Sequence, residues 1–232
     1  MISAKALFAS TVLAMGALTA TAANAVTIVT VEAAGQQTTT ADLTSSGIQT
    51  FDGIAIGTKT SLTAAFKGGI YSGTYTATSV RAASQYGGAT GVGHYNAVAT
   101  KSTLTISGGA TDYFGLFVSA IDGGNTVAFY KAGVLVDSVN LTTYALSSAY
   151  YGNPTTTYLG KDAGEKFAFF NFDVVGGYDK VVLLENGGGG FETDNYTVGV
   201  LAVPEPALWA MMITGFGLVG LSMRRRAALL AA

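Results

Sequence analysis

Residues 125–141 read NTVAFYKAGVLVDSVNL, and this stretch decides the fold class. Two runs, VAFY and VLVDSV, are rich in the β-branched and aromatic residues that fit a pleated, half-buried surface. Between them lies Lys131-Ala132-Gly133, where a glycine can supply the positive φ that a tight turn requires. The stretch therefore predicts a β-hairpin.

Seven further segments share this composition and predict strands. They are VTIVTV (26–31), IYSGTYTATSV (70–80), KSTLTIS (101–107), YFGLFVSAI (113–121), FAFFNFDVV (167–175), YDKVVLLE (178–185) and FETDNYTVGVLAV (191–203). Glycine pairs separate many of them, and the polar segment 36–47 is predicted as a loop or linker. About ten strands without crossover helices predict an all-β fold, an antiparallel β-sandwich of jelly-roll type.

Composition narrows the classes of function. The chain has no Cys, so disulfides, thiolate metal sites and thiol redox chemistry are excluded. Residues 26–203 form a 178-residue stretch that fits one domain, with eight basic and thirteen acidic residues, a net charge of −5. Because the cations are scattered singly, nucleic acid is not expected as a partner.

The first 25 residues have the three parts of a secretory signal peptide. Lys5 gives a cationic start, an apolar stretch follows, and Ala23-Asn24-Ala25 is a small-residue exit that predicts cleavage after Ala25. The alternative is a buried N-terminal helix, but no segment downstream at helical period would pair with it. The chain is therefore expected to be exported.

The C-terminal segment has a different construction. After Pro204-Glu205-Pro206 comes an uncharged run, about 207–223, which as a helix would be roughly 25 Å long, at the short end for a transmembrane helix. Trp209 near one end and Arg224, Arg225 and Arg226 at the other would place the folded domain outside and the tail in the cytoplasm. A buried core helix and a permanent single-pass anchor are the alternatives.

This order of motif, apolar span and basic cluster resembles the PEP-CTERM sorting signal of Gram-negative bacteria. The likeness covers roughly 25 residues, including Trp209-Ala210-Met211-Met212 and Gly215-Phe216-Gly217. It implies recognition by a membrane-bound exosortase, processing near Pro204-Glu205-Pro206, and delivery through the inner membrane to the cell surface or exopolysaccharide matrix. The tail AALLAA (227–232) is longer and more apolar than in that family.

The body also resembles a group of exosortase-dependent surface proteins of undefined activity. YGGATGVGHYNAV, DYFGLFVSAIDGGNTVAFYKAGVLV, YYGNP and FAFFNFDVVGGYDKVVLLENGGGGFETDNYTV occur in that order over about 86–198. This likeness implies a β-sandwich ectodomain and supplies no catalytic residues.

Catalytic patterns are sparse. A Ser-His-Asp triad would have to use His94, the single histidine, which lies in GVGHYNAV without a nucleophile elbow. Zinc sites usually need three or four His or Cys ligands, and GGATGVG (87–93) lacks the strand-loop-helix context of a nucleotide loop. A glycoside hydrolase needs only two carboxylates, and thirteen acidic residues leave that alternative open.

Two kinds of binding site remain. Glu192, Asp194 and Asn195 in GGGGFETDN could hold Ca²⁺ or be solvated polar groups at a sheet edge, and Asp122 and Asn125 in IDGGN are a second ligand set or turn formers. In SSAYYGNPTTTYLG, three tyrosines could bind a sugar or pack over the core. These are Tyr150, Tyr151 and Tyr158.

Taken together, the sequence predicts a non-enzymatic exported protein of the surface or extracellular matrix that acts in structure or adhesion. Binding of exopolysaccharide as a carbohydrate-binding module is the alternative. A glycoside hydrolase is the third.

Overall fold

The computed structural model of the chain describes residues 26–202 and 210–220. Twelve strands, two short 3-10 turns and a helical segment at 210–220 make up its regular structure. The strands are β1 (Thr27–Val31), β2 (Leu43–Gln49), β3 (Gly57–Ala65), β4 (Ser72–Ala82), β5 (His94–Val98), β6 (Lys101–Ser107), β7 (Tyr113–Ile121), β8 (Thr126–Lys131), β9 (Val134–Asn140), β10 (Lys166–Val174), β11 (Lys180–Leu184) and β12 (Phe191–Leu201). The 3-10 turns are Leu141–Thr143 and Ser148–Tyr150.

The predicted all-β class is confirmed, and every predicted strand segment contains a strand. Three strands were not predicted, namely β2, β3 and β5. The interpretation of 36–47 as a loop is wrong for its last five residues, because β2 begins at Leu43 and pairs with the second half of β12.

The predicted hairpin around Lys131-Ala132-Gly133 is also confirmed. β8 and β9 pair from Thr126–Asn140 to Lys131–Val134. Ala132 and Gly133 both have positive φ, 50° and 82°. This is the conformation that lets a two-residue turn follow the right-handed twist of the strands.

The strands form one antiparallel sheet that is nearly closed like a barrel. The order is β1-β10-β7-β12-β5-β4-β6-β11-β8-β9, with β2 beside β12 and β3 beside β4. β1 and β9 are the two ends of this order, and there the backbone N–H of Thr27 in β1 donates to the Asp137 carboxylate in β9 at 3.0 Å. A side chain thus links two strands that are not paired in the sheet.

The inner side of this sheet is the main hydrophobic core, and aromatic rings dominate it. Phe172 of β10 lies 5.3 Å from Phe129 of β8 between ring centroids, and Phe114 of β7 lies 6.0 Å from Phe129. Tyr196 of β12 contacts the rings of Phe51 and Tyr75. Rings from opposite ends of the strand order therefore pack against each other.

The outer face of β10, β7 and β12 is buried as well, by two connecting segments. Segment 32–42, between β1 and β2, is bonded to this face where Asn195 of β12 donates to the Gln37 carbonyl at 2.8 Å. Segment 83–93, between β4 and β5, places Ala89 in a second apolar cluster with Phe117, Phe167 and Phe169. These three strands are therefore covered on both sides.

In the described ranges 26–202 and 210–220, no helix is long and apolar enough to cross a membrane. The predicted span at about 207–223 extends beyond the described part at both ends, and the predicted signal peptide, residues 1–25, lies wholly outside it. Both remain predictions.

Candidate functional site

Two segments that the sequence suggested separately meet at one end of the sheet. Asn125, which is fully buried after β7, donates through its side-chain amide to Glu185 at 2.6 Å and to the Gly190 carbonyl at 3.0 Å. The same amide lies 3.2 Å from a carboxylate oxygen of Asp122. The turn after β7 and the glycine-rich loop before β12 are thus bonded into one polar site.

Glu185 holds the glycine-rich loop in place. Its carboxylate accepts from the backbone N–H groups of Gly187 and Gly188, the latter at 2.7 Å. Gly189 lies close to the Asp122 carboxylate, because a Cβ added at Gly189 would lie 1.7 Å from one of its oxygens and would force that side chain to move. We call Asp122, Glu185 and Glu192 the acidic cluster.

Glu192 lines an open cleft of about 220 Å³ with Arg81 and residues 188–190. Burial raises the pKa of Glu192 to about 7, with smaller contributions from Asp122 and Glu185, while Arg81 and the backbone oppose the shift. Burial also raises the pKa of Asp122, and the neighbouring Glu185 carboxyl adds to that increase. The cleft thus holds a carboxyl group that exchanges protons near neutral pH.

The three predicted calcium ligands do not share one site. Glu192 faces the cleft, whereas Asp194 accepts from the backbone N–H of Ala89 at 2.8 Å. Asn195 has a positive φ of 50° at a register shift between β12 and β7, and its amide donates to Gln37. Burial raises the pKa of Asp194 to about 7 although two backbone N–H bonds oppose the shift.

Among the residues that the structure describes, no three His, Cys, Asp or Glu side chains are arranged to hold a metal ion. Asp122 and Asn125, predicted as turn formers or a second ligand set, do form a turn. The Asn125 side-chain oxygen accepts from the Asp122 backbone N–H at 3.1 Å.

The three predicted sugar-binding tyrosines also point to different places. Tyr150 is half-buried and donates its hydroxyl to the Glu32 carbonyl at 2.8 Å, while Tyr158 reaches the Ala83 carbonyl at 3.4 Å. Tyr151 is 44% exposed, and the ammonium of Lys166 lies 5.4 Å from its ring centroid. Of the three tyrosines, Tyr151 has the most exposed side chain.

His94 has a local structural role. Its ring nitrogen Nδ1 is 2.8 Å from the Ile54 carbonyl, and its backbone N–H donates to Asp52 at 2.9 Å. Both contacts join the start of β5 to the turn before β3.

Sequence reasoning missed a second polar site on the outer face. Asn171 of β10 accepts from the hydroxyls of Tyr113 and Thr39 and donates to Glu32, which in turn accepts from Thr40. The site borders an open cleft of about 300 Å³. Period-2 alternation in FAFFNFDVV places Asn171 on the opposite face of the strand from Phe170 and Phe172. This was the one sequence signal that could have predicted the site.

The residues predicted for sorting and processing lie outside the described part of the chain, as do both residues of the leader exit. They are Pro204, Glu205, Pro206, Trp209, Arg224, Arg225 and Arg226, with Ala23 and Ala25. Their roles stay predictions.

The chain matches no known protein family and no curated protein. Among solved structures it is similar to the catalytic domain of a GH87 alpha-1,3-glucanase in complex with tetrasaccharides, at 15% identity and a TM-score of 0.31. The match covers 71% of this chain and 29% of the glucanase domain. At this level the likeness decides neither fold nor activity.

Proposed function

We propose that the chain is an exported, non-enzymatic protein of the cell surface or extracellular matrix of a Gram-negative bacterium. An exosortase-type membrane enzyme would sort it during passage through the inner membrane. The order of Pro204-Glu205-Pro206, the apolar run and Arg224–Arg226 carries this proposal. Its role would be structural or adhesive.

The positions of the first and last strands support the proposal. β1 begins at Thr27, two residues after the predicted leader exit, and β12 ends at Leu201, three residues before Pro204. Removal of both terminal segments would therefore leave all twelve strands intact. A body of this kind can be released from the membrane without loss of its fold.

We also propose that the nearly closed sheet is flattened into two layers, as in a jelly-roll sandwich. One layer would contain β1, β10, β7, β12 and β2, and the other β3, β4, β6, β11, β8 and β9. β5, which pairs with both β12 and β4, would connect the two layers. The ring contacts of Phe129 with Phe114 and Phe172 support this description.

The intact mass of protein from a host that carries an exosortase tests the sorting proposal. We expect the mass of about residues 26–203 and tyrosine emission without tryptophan emission, because Trp209 is the single tryptophan. Alanine at positions 204–206 should leave the longer chain in the membrane fraction. Pro154→Ala, the third proline and far from the motif, serves as the matched control, and equal processing of both variants contradicts the proposal.

Exopolysaccharide binding is the second candidate, and the surroundings of Tyr151 favour it. Its ring borders a cleft of about 200 Å³ with Thr142, Tyr144 and Lys166. An exposed ring beside hydroxyl and ammonium donors can stack on a sugar and bond its hydroxyls.

A polysaccharide pull-down with the full chain tests this second candidate. Tyr151→Ala should reduce retention, whereas Tyr86→Ala, which removes an equally exposed ring away from the cleft, should not. Equal retention of both variants contradicts a site at Tyr151. Release of soluble sugar would show a glycoside hydrolase instead.

A further inference from the structure

The chain leaves the strand body at an end that is built from turns. β12 ends there at Leu201, whose backbone N–H donates to Asp112 in the turn between β6 and β7. The Val174 backbone N–H, at the end of β10, donates to the Asp112 carbonyl at 2.7 Å. β1 begins at the same end, since Thr27 pairs with Val174. We call this the exit end.

Aliphatic side chains project from the exit end into solvent. They are Val26, Ile70, Val134, Leu135 and Val175. Val134 is 70% exposed at the tip of the β8–β9 hairpin. Exposed branched aliphatic residues that lie together form the kind of patch that marks an interaction surface.

Contacts between the turns bring most of these residues together. Val26 and Val175 extend the paired strands β1 and β10 beyond the Thr27–Val174 pair. The Lys131 ammonium donates to the Gly176 carbonyl, which joins the hairpin tip to the turn after Val175. Ile70 lies against Gly109 in the turn between β6 and β7, because a Cβ on Gly109 would lie 2.9 Å from the Ile70 side chain.

Several charged groups at this end are engaged with backbone. Asp179 accepts from the Ala132 backbone N–H at 2.7 Å, and Asp112 and Lys131 make the backbone bonds described above. Acidic and basic residues both occur here, so the exit end has no basic cluster for anionic lipid. Asp42 and Lys67, which are also exposed here, carry opposite charges, so the distinctive chemistry of this end is its aliphatic side chains.

The distance to the C-terminal helix limits what can cover the exit end. From Ala202 to residue 210 the chain has eight Cα steps, which span at most roughly 28 Å when fully extended. The helical residues 210–220 expose apolar side chains that include Met211, Ile213, Phe216 and Leu218. Wherever this helix inserts, the exit end stays within that reach.

We propose that the exit end docks on the surface of the phospholipid bilayer that holds the C-terminal segment, with the hairpin tip at Val134 and Leu135 in the interfacial layer. This inference rests on the proposed sorting function. It adds a second membrane contact on the folded body. The opposite end, with the acidic cluster, then faces away from the membrane.

Single-cysteine labelling of the full chain tests this docking, because the protein has no native cysteine to compete. The fluorophore NBD is attached at Val134→Cys, or at Leu159→Cys as the matched control. The two side chains are 70% and 72% exposed, and Leu159 follows Tyr158, whose hydroxyl contacts Ala83 just beyond the far end of β4. Both labelled proteins are reconstituted in phosphatidylcholine vesicles.

We expect a blue shift and quenching by headgroup-attached nitroxide lipids at position 134 and neither at position 159. Equal behaviour at both positions, with Trp209 quenched by brominated lipid, overturns the docking and leaves the sorting proposal standing. Unquenched Trp209 overturns membrane insertion and the docking with it. A blue shift at 134 that grows with protein concentration without vesicles shows a second copy of the chain on this end, which also overturns the inference.

Discussion

The strands β10, β7 and β12 bury two faces of different chemistry. Their inner face carries Phe114, Phe172 and Val198, all fully buried. Their outer face carries Asn171 and Asp194, which are buried nearly as deeply. Similar burial is thus achieved with apolar side chains on the inner face, and with amide and carboxyl groups beside the Phe117, Phe167 and Phe169 cluster on the outer face.

The difference follows from what covers each face. Other strands cover the inner face, and their backbone groups are already paired within the sheet, so mainly apolar side chains lie there. Segments 32–42 and 83–93 cover the outer face, and their free backbone groups need partners. Asp194 accepts from Ala89, and Asn195 donates to Gln37. On this protein the polar outer face fixes connecting segments in place.

The largest effect is expected when a ring on the inner face is truncated. Phe172→Ala should lower the free energy of unfolding by about 3–5 kcal/mol, because it removes a ring that packs against Phe114, Phe129 and Phe170. Urea denaturation measures the change. Phe172→Leu keeps most of the volume and should cost less than half as much, and equal losses would contradict a cavity effect.

The outer face should make stability depend on pH. The folded-state pKa of both Glu192 and Asp194 is about 7, whereas unfolded carboxyl groups titrate near about 4. Between these values the folded state binds more protons, so stability should fall as pH rises from 5 to 8. Thermal unfolding at both pH values measures the difference.

Variants separate the two faces in that experiment. Glu192→Gln and Asp194→Asn should each flatten the pH dependence, since neither amide titrates. Phe172→Leu, on the inner face, should lower stability equally at both pH values. A pH dependence unchanged in the double outer-face variant would contradict the assignment.

The polar network around Asn171 should contribute less than the inner rings. Asn171→Ala is expected to cost about 1–3 kcal/mol, because it removes the acceptor of the buried Tyr113 hydroxyl and one of the donors to the buried Glu32 carboxylate. Limited proteolysis should then cut within 33–41. Gln36→Ala on the same segment, whose amide donates to neighbouring Thr38, is the control and should leave cleavage unchanged.

The smallest expected effect is a gain in stability. Within the described residues, the hydroxyl of Ser119 on β7 is buried and has no hydrogen-bond partner. Ser119 pairs with Glu192 on the outer face. Ser119→Ala should stabilise the protein by about 1 kcal/mol, since it removes an unsatisfied polar group. A loss in thermal stability would show that the hydroxyl has a partner.

The strands with apolar runs could be predicted from sequence, and the short or polar ones could not. FAFFNFDVV and YFGLFVSAI are apolar because both of their faces are buried. β3, GTKTSLTAA, pairs with β4 alone and is largely exposed, so its sequence lacks the apolar run that predicts a strand. β5 is a five-residue strand beside the glycine-rich segment 87–93, which resembles a loop.

Part of the site was within reach of the sequence. The period-2 alternation of a strand puts Glu192 and Asp194 on one face of β12, as the structure has them, and the positive φ of Asn195 then breaks the alternation. The contact of Asp122 and Asn125 with the glycine-rich loop could not be predicted, because it depends on long-range pairing of β7 with β12. Local patterns carry no information about such register.

The pairing of β1 with β10 determines the order in which the body can fold. Thr27 has no partner strand until Val174 has emerged, although it is among the earliest of the described residues to be made. Contacts so distant along the chain form slowly, because a long loop must close before they contribute. The pairing of β1 with β10 therefore forms late. A chain that crosses a membrane as it is made would complete this fold only on the far side.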